Sequence, residues 1–194
     1  MEGSMAEIKE EVRKGVELGK RFNKTFPNVF TNCGVDLNLA ARALGDYFNK
    51  KIFVKNADLS KMKGGISGFT FVREDGVYIV VNSDEPPYRQ RFTIAHELGH
   101  IFNGDIDLGK IDNLNMVFRS DLELFYGDPE KFKLEQMANS FAAEILMPED
   151  QVLSFMKSGV SVEEMAMFFG VSPQAMRIRI AGILHSQDHK QPEN

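Results

Sequence analysis

The stretch Arg91-Phe92-Thr93-Ile94-Ala95-His96-Glu97-Leu98-Gly99-His100 is the part of the chain on which the reading of the rest depends. Pro86 and Pro87 close off the segment before it, and a helix is expected from about Tyr88 to Phe102. Residues four apart on an α-helix differ by about 40° in direction. His96 and His100 therefore project side by side and can reach one metal ion, with Glu97 beside them. The chain has only four histidines, and two of them fall in this pattern, so a chance match is the weaker reading. Zinc held by such ligands lowers the pKa of a bound water to about 7, and a neighbouring carboxylate can take the proton as the oxygen attacks a carbonyl. That is peptide-bond hydrolysis in outline.

A zinc site of this kind needs a third protein ligand and keeps a fourth position for water. Cys33 is the only cysteine, so neither a disulfide nor a thiolate-rich site can be built, and nitrogen and oxygen donors remain. His185 and His189 lie near a polar C-terminus and read as surface histidines. The preferred candidate is Glu135, early in a helix expected from Glu130 to Met147 and ended by Pro148. Around that helix Asn139 lies about 40° from Glu135 and Ala142 about 20°, whereas Glu144 falls roughly 180° opposite. One face thus offers Glu135, Asn139 and a small alanine, allowing close approach to the histidine helix and a hydrogen bond from Asn139 to a ligand histidine. The plain alternative for Glu135 is an ordinary carboxylate in a helix first turn, where the helix dipole favours it.

Working outward, a charged amphipathic helix is expected over residues 6 to 21, lying exposed on the domain through Ile8, Val12, Val16 and Leu18. Met1 to Ser4 reads as a short appended segment before a start at Met5. A second helix, capped by Asp36, is expected to reach Phe48. The period then changes. Residues 51 to 55, 66 to 73 and 77 to 82 read as short strands, the last two joined by a turn at Glu74-Asp75-Gly76. Residues 103 to 129 carry no clear period and read as a long functional loop. After Pro148, helical segments are expected at about 149 to 157, 161 to 169 and 173 to 184.

Together these predict an α+β fold, a small mostly antiparallel sheet packed with the two motif helices, plus a C-terminal helix-turn-helix-like module. The expected division is 5–148 for the catalytic domain, 149–186 for the module packed on it, and 187–194 for a polar tail. With 194 residues, 43% apolar and 26% charged, the chain has an ordinary globular composition. No apolar run approaches the roughly 20 residues that span a bilayer, and a cytoplasmic location is expected. A net charge of −5 argues against broad phosphate-backbone binding.

The motif stretch, the segment Glu135 to Asn139 and the run Phe141-Ala142-Ala143-Glu144-Ile145-Leu146-Met147-Pro148 resemble, in order, the ImmA/IrrE metallopeptidases. The resemblance covers about residues 36 to 185. It implies a gluzincin-like α+β fold, Zn2+ held by His96, His100 and Glu135, and Glu97 as general base. It further implies a regulatory protease whose protein substrate is a helix-turn-helix repressor of a mobile element or a stress response. The stretch between His100 and Glu135 is long for the family and reads as a loop that shapes or covers the cleft.

Ser161 and Glu164 form a capping box, Gly170 ends that helix and Ser172-Pro173 starts the next. On one reading Gln174, Arg177 and Arg179 of the second helix face DNA or a partner. On the favoured reading Met165, Phe168, Phe169, Met176, Ile178 and Ile180 pack the module onto the core. Tyr88 and Tyr126 are candidate oxyanion donors that fit ordinary amphipathic roles better. The ten methionines serve as core filler, and the loop Lys61 to Gly65 reads as solvated. Two alternatives of function stay open: a repressor-binding or DNA-binding regulator with a structural zinc, and the activity-gated half of a two-gene pair.

Overall fold

The structure is a computed structural model that describes residues 2–32, 34–62, 65–110, 114–118 and 128–188. The elements in chain order are α1 (Glu2–Thr25), a 3-10 turn (Pro27–Val29), β1 (Phe30–Thr31), β2 (Gly34–Val35), α2 (Leu37–Tyr47), β3 (Ile52–Ala57), β4 (Ile66–Arg73), β5 (Gly76–Asn82), α3 (Pro87–Asn103), β6 (Leu114–Phe118), α4 (Pro129–Leu146), α5 (Glu149–Lys157), α6 (Val162–Phe169) and α7 (Pro173–Asp188). This is the expected α+β architecture.

The main sheet runs β3-β5-β4-β6. β4 and β5 form the anticipated hairpin, with Arg73 opposite Gly76 and the turn supplied by Glu74-Asp75. β3 joins β5 in parallel, from Ile52↔Val77 to Ala57↔Asn82, and β6 pairs antiparallel with β4. Two of the three pairings are thus antiparallel. β6 corrects the expectation of an unstructured loop over 103 to 129, because Leu114–Phe118 supplies an edge strand to β4. The remainder of that stretch, residues 111–113 and 119–127, lies outside the described residues, as do Cys33, Lys63, Gly64, Tyr126, His189 and the rest of the tail.

One face of the sheet packs on helices. Val72, Val77, Ile79 and Val81 point into a core shared with Leu98 and Ile101 of α3, Phe141 and Ile145 of α4, and Leu44 of α2. The period of two along the strands makes this possible, since alternate residues face the same side. α4 is buried on most of its circumference, between α3 on one side and α1 on the other.

α1 departs from its sequence-based expectation. It runs longer at both ends than 6 to 21, and it is wedged into the fold rather than laid on it: Leu18 and Phe22 are buried, and Phe22 meets Phe102 and Phe141 edge-on at 5.3 and 5.4 Å. Gly19 explains the close seating, because a Cβ there would stand 2.6 Å from Cβ of Glu144. The apolar pattern gives no weight to glycine and so missed this face.

The C-terminal helices share the same core through Val152, Met165, Phe169, Met176 and Ile183. The capping box of Ser161 and Glu164 is formed, and Gly170 ends α6 in the left-handed conformation at φ 64°. Ile178, expected in the interface, is instead 66% exposed. Arg179 turns inward, donating from Nε to the Met147 carbonyl at 3.0 Å and from Nη2 to the Glu144 carboxylate. It is thereby withdrawn from any DNA-facing set, and Arg177 pairs with Glu163 at 2.5 Å on the surface. Among the described residues no helix is long and apolar enough to cross a membrane.

Candidate metal centre

α3 delivers its motif to the interior: His96, Glu97 and His100 are all buried, at 2%, 0% and 2% exposure. The helix can approach α4 closely because Gly99 lies against Phe141, where a Cβ would come within 2.8 Å of the ring. Ala138 and Ala142 are buried on the same helix. Into this contact α4 projects Glu135, also buried. The resulting group is His96, His100 and Glu135, with one donor atom of each lying within 4.8 Å of the others. His185 is exposed on α7 and lies outside this group, and Tyr88 is 46% exposed.

The hydrogen bonds fix which ring nitrogens are free. His96 Nδ1 donates to Asn139 Oδ1 at 2.9 Å, and His100 Nδ1 donates to Asp105 Oδ2 at 2.8 Å. Both partners are acceptors, so both Nδ1 atoms carry the proton, and both Nε2 atoms can present lone pairs once a cation replaces any proton between them. The two Nε2 atoms stand 3.0 Å apart. Glu135 Oε2 lies 3.1 Å from His96 Nε2, and its Oε1 3.6 Å from His100 Nε2. Three donor groups converge on one point in the buried interior.

Such a cluster demands positive charge. Burial opposes charging His100, yet Asp105 and Glu135 outweigh it and push the ring up to about 10. Burial likewise works against a charged Glu135, but hydrogen bonds from His100 and His96 hold its carboxyl well below the ordinary range. A site that draws in a proton this strongly from nitrogen and carboxylate donors is suited to a divalent cation, so the residues present fit such an ion.

Glu97 stands beside the cluster but is used differently. Its Oε2 accepts a hydrogen bond from the Thr70 hydroxyl on β4. Its Oε1 is buried with no hydrogen-bond partner among the described residues. Burial raises the Glu97 carboxyl above the usual carboxylate range, against the pull of His100, His96 and the Thr70 hydroxyl. A buried carboxylate with one oxygen anchored and the other bare is equipped to accept a proton.

Sequence reasoning placed His96, Glu97, His100, Glu135 and Asn139, and all five meet here. It missed Asp105 and Thr70. Asp105 had a legible signal, since Gly104-Asp105 directly follows the helix carrying His100. Thr70 had none, because only the position of β4 under α3 brings it to Glu97.

Known proteins resemble this chain in sequence and in fold. The family model for the IrrE N-terminal-like domain, Peptidase_M78, matches residues 49–181. The chain is 37% identical over 106 residues to the radiation response metalloprotease IrrE of Deinococcus radiodurans, covering 54% of this chain and 29% of that protein. With the protein of the same name from Deinococcus deserti it shares 33% over 126 residues, covering 56% and 41%. It is 28% identical over 114 residues to immunity region protein 2 of Bacillus phage phi105, covering 59% of this chain and 65% of that one. This chain therefore spans well under half the length of the two metalloproteases it matches. Among solved structures, a Mycobacterium tuberculosis transcriptional regulator superposes with a TM-score of 0.57 at 14% identity, over 90% of this chain and 51% of that one, which speaks to the fold alone. With a family match over residues 49–181, most of its length, the chain belongs to the Peptidase_M78 family of IrrE N-terminal-like domains.

Proposed function

We propose that this protein is a zinc-dependent endopeptidase, with His96, His100 and Glu135 as the metal ligands and Glu97 as the general base. The observation that carries this reading is the bare, buried Oε1 of Glu97 beside three converging donors. Among the described residues three protein ligands rather than four converge, which leaves a coordination position open, the pattern of catalytic rather than structural zinc. Bound there, the ion would supply Lewis-acid polarisation of a water and of the scissile carbonyl.

The chain's own groups then handle the proton. Glu97 Oε1 takes a proton from the water as its oxygen bonds to the carbonyl carbon, and delivers it to the amide nitrogen as the C–N bond breaks. Thr70 keeps Oε2 occupied, so one oxygen alone is presented. Burial that raises the proton affinity of Glu97 brings it closer to the working range of a base near neutral pH. Asn139 and Asp105 hold the ligand rings in orientation.

The substrate we propose is a helix-turn-helix transcriptional repressor, with residues 149–186 as a helical module beside the catalytic part at 5–148. Support comes from the likeness to a radiation response metalloprotease and to a phage immunity region protein, both names of regulatory systems. The test is to purify the protein, measure its metal, and mix it with helix-turn-helix repressors from the same genome, beginning with any encoded in a neighbouring gene. About one zinc per chain and cleavage of one such repressor are expected. Glu97→Gln should keep the zinc and lower cleavage by roughly 10²–10⁴-fold, the usual share of a general base. Full cleavage by that variant would end the proposal.

A further inference from the structure

Asp105 meets His100 by a local device. α3 ends at Asn103, and Gly104 adopts the left-handed conformation at φ 85°. The Gly104 N–H then reaches the Ile101 carbonyl at 3.2 Å, and the Asp105 N–H reaches the His100 carbonyl at 3.0 Å. This is the Schellman arrangement, in which the second residue past the helix folds back over the residue five before it. An apolar contact commonly fills that position. Here it holds a carboxylate against an imidazole: Asn103 Nδ2 donates to Asp105 Oδ1 at 2.6 Å, and Oδ2 is left to accept from His100 Nδ1 at 2.8 Å.

The two histidines are therefore oriented by unlike means. The partner of His96 is a neutral amide on another helix, 43 residues away in sequence. That of His100 is an anion five residues on, delivered by the end of the helix itself. A carboxylate accepting from Nδ1–H fixes the tautomer and makes Nε2 a stronger donor, and an amide does the second less well.

We infer that Asp105 is a positioning residue for the metal centre, and that the C-terminal cap of α3 is the device that aims it at His100. The inference rests on the proposed metal site. It makes residues 100 to 105 one unit, a ligand together with its own orienting anion, separate from the tertiary contact between Asn139 and His96.

The test measures Zn2+ affinity by competition with a chromophoric chelator, and records the visible spectrum of Co2+ bound in its place. Asp105→Ala should weaken Zn2+ binding by roughly 10–100-fold and shift the Co2+ bands. Asp105→Asn, alike in shape but uncharged, should fall between that variant and the wild type. Asn139→Ala should cost less than Asp105→Ala. The cap itself is held by backbone hydrogen bonds, so helix content of the metal-free variants should match the wild type by circular dichroism. Should Asp105→Ala fail to fold, the isosteric Asp105→Asn decides the matter. Wild-type affinity and an unchanged Co2+ spectrum in the Asp105 variants, with binding lost in His100→Ala, would overturn the inference while leaving the metal site standing. A wild-type chain that takes up no Zn2+ would overturn the metal site and this inference with it.

Discussion

Glu135 and Glu144 sit nine residues apart on α4, and both are buried carboxylates. Their surroundings differ in one respect. Glu144 is answered by the protein: Arg179 closes on it from α7, and the Glu149 backbone N–H reaches its Oε1 at 3.4 Å. Lys20 of α1 pairs with Glu149 at 2.5 Å, so the clasp extends to the first helix. Among the described residues Glu135 is answered by the two facing imidazoles, His96 and His100, and by no fixed cation. Burial outweighs Arg179 and lifts the Glu144 carboxyl, whereas at Glu135 the histidines outweigh burial and depress it. One end of the helix is electrostatically closed and holds the fold together. The other is open and asks for a cation.

The largest expected effect attacks the closed end. Arg179→Met leaves Glu144 buried without its partner and should cost about 3–5 kcal/mol of stability by denaturant unfolding, with zinc content unchanged. Glu144→Leu combined with Arg179→Met should recover most of that loss. Glu135→Gln should do the reverse, with zinc lost and unfolding of the metal-free protein changed far less. If both single variants lose zinc equally, the two ends are not distinct.

Next comes pH. His100 has its folded value raised from 6.5 to about 10, so its stabilising contribution to the metal-free protein is fully present below about pH 6.5 and is lost as pH rises through about 10. On the proposed reading a bound Zn2+ displaces that proton, so affinity should climb about tenfold per pH unit between about pH 7 and 9. A flat affinity profile from chelator competition would contradict the charge balance drawn for the open end.

Gly99→Ala tests whether the open end depends on close helix approach. Its methyl group would press on Phe141, and overpacking of this kind costs roughly 1–3 kcal/mol. Since the same contact sets the spacing of Glu135 from the histidines, zinc affinity should fall along with the thermal midpoint. The smallest effect is expected far from both ends. Ser161→Ala removes a cap from α6 and should cost about 1 kcal/mol with no change in zinc binding.

Legibility in the sequence followed the range of the interaction. The histidine helix, the β4–β5 hairpin, the Asp36 cap and the Ser161 capping box all rest on contacts within a few residues, and each was readable. The parallel pairing of β3 with β5 and the edge strand β6 were not, because strand neighbours are chosen by what the two faces bury. The wedging of α1 escaped for a related reason: its close contact runs through Gly19, which carries no hydrophobic signal. At the site, the i, i+4 histidines and the helix phase of Glu135 and Asn139 were legible as directions around a helix. Thr70 was not, since nothing near it in sequence announces Glu97.

The sequence by itself determined the local chemistry: two imidazoles side by side, a carboxylate next to one of them, and a helix end that returns Asp105 to His100. Helix phase pointed to Glu135 for the cluster, and only the tertiary structure decided that it meets both histidines and that Glu144 is met by a guanidinium. Glu135 and Glu144 carry the same group on opposite faces of the same helix, so helix phase separates their directions but not their partners. Their opposite roles arise because α3 brings two imidazoles to one and α7 brings a guanidinium to the other, and a buried charge takes its meaning from the groups folded against it.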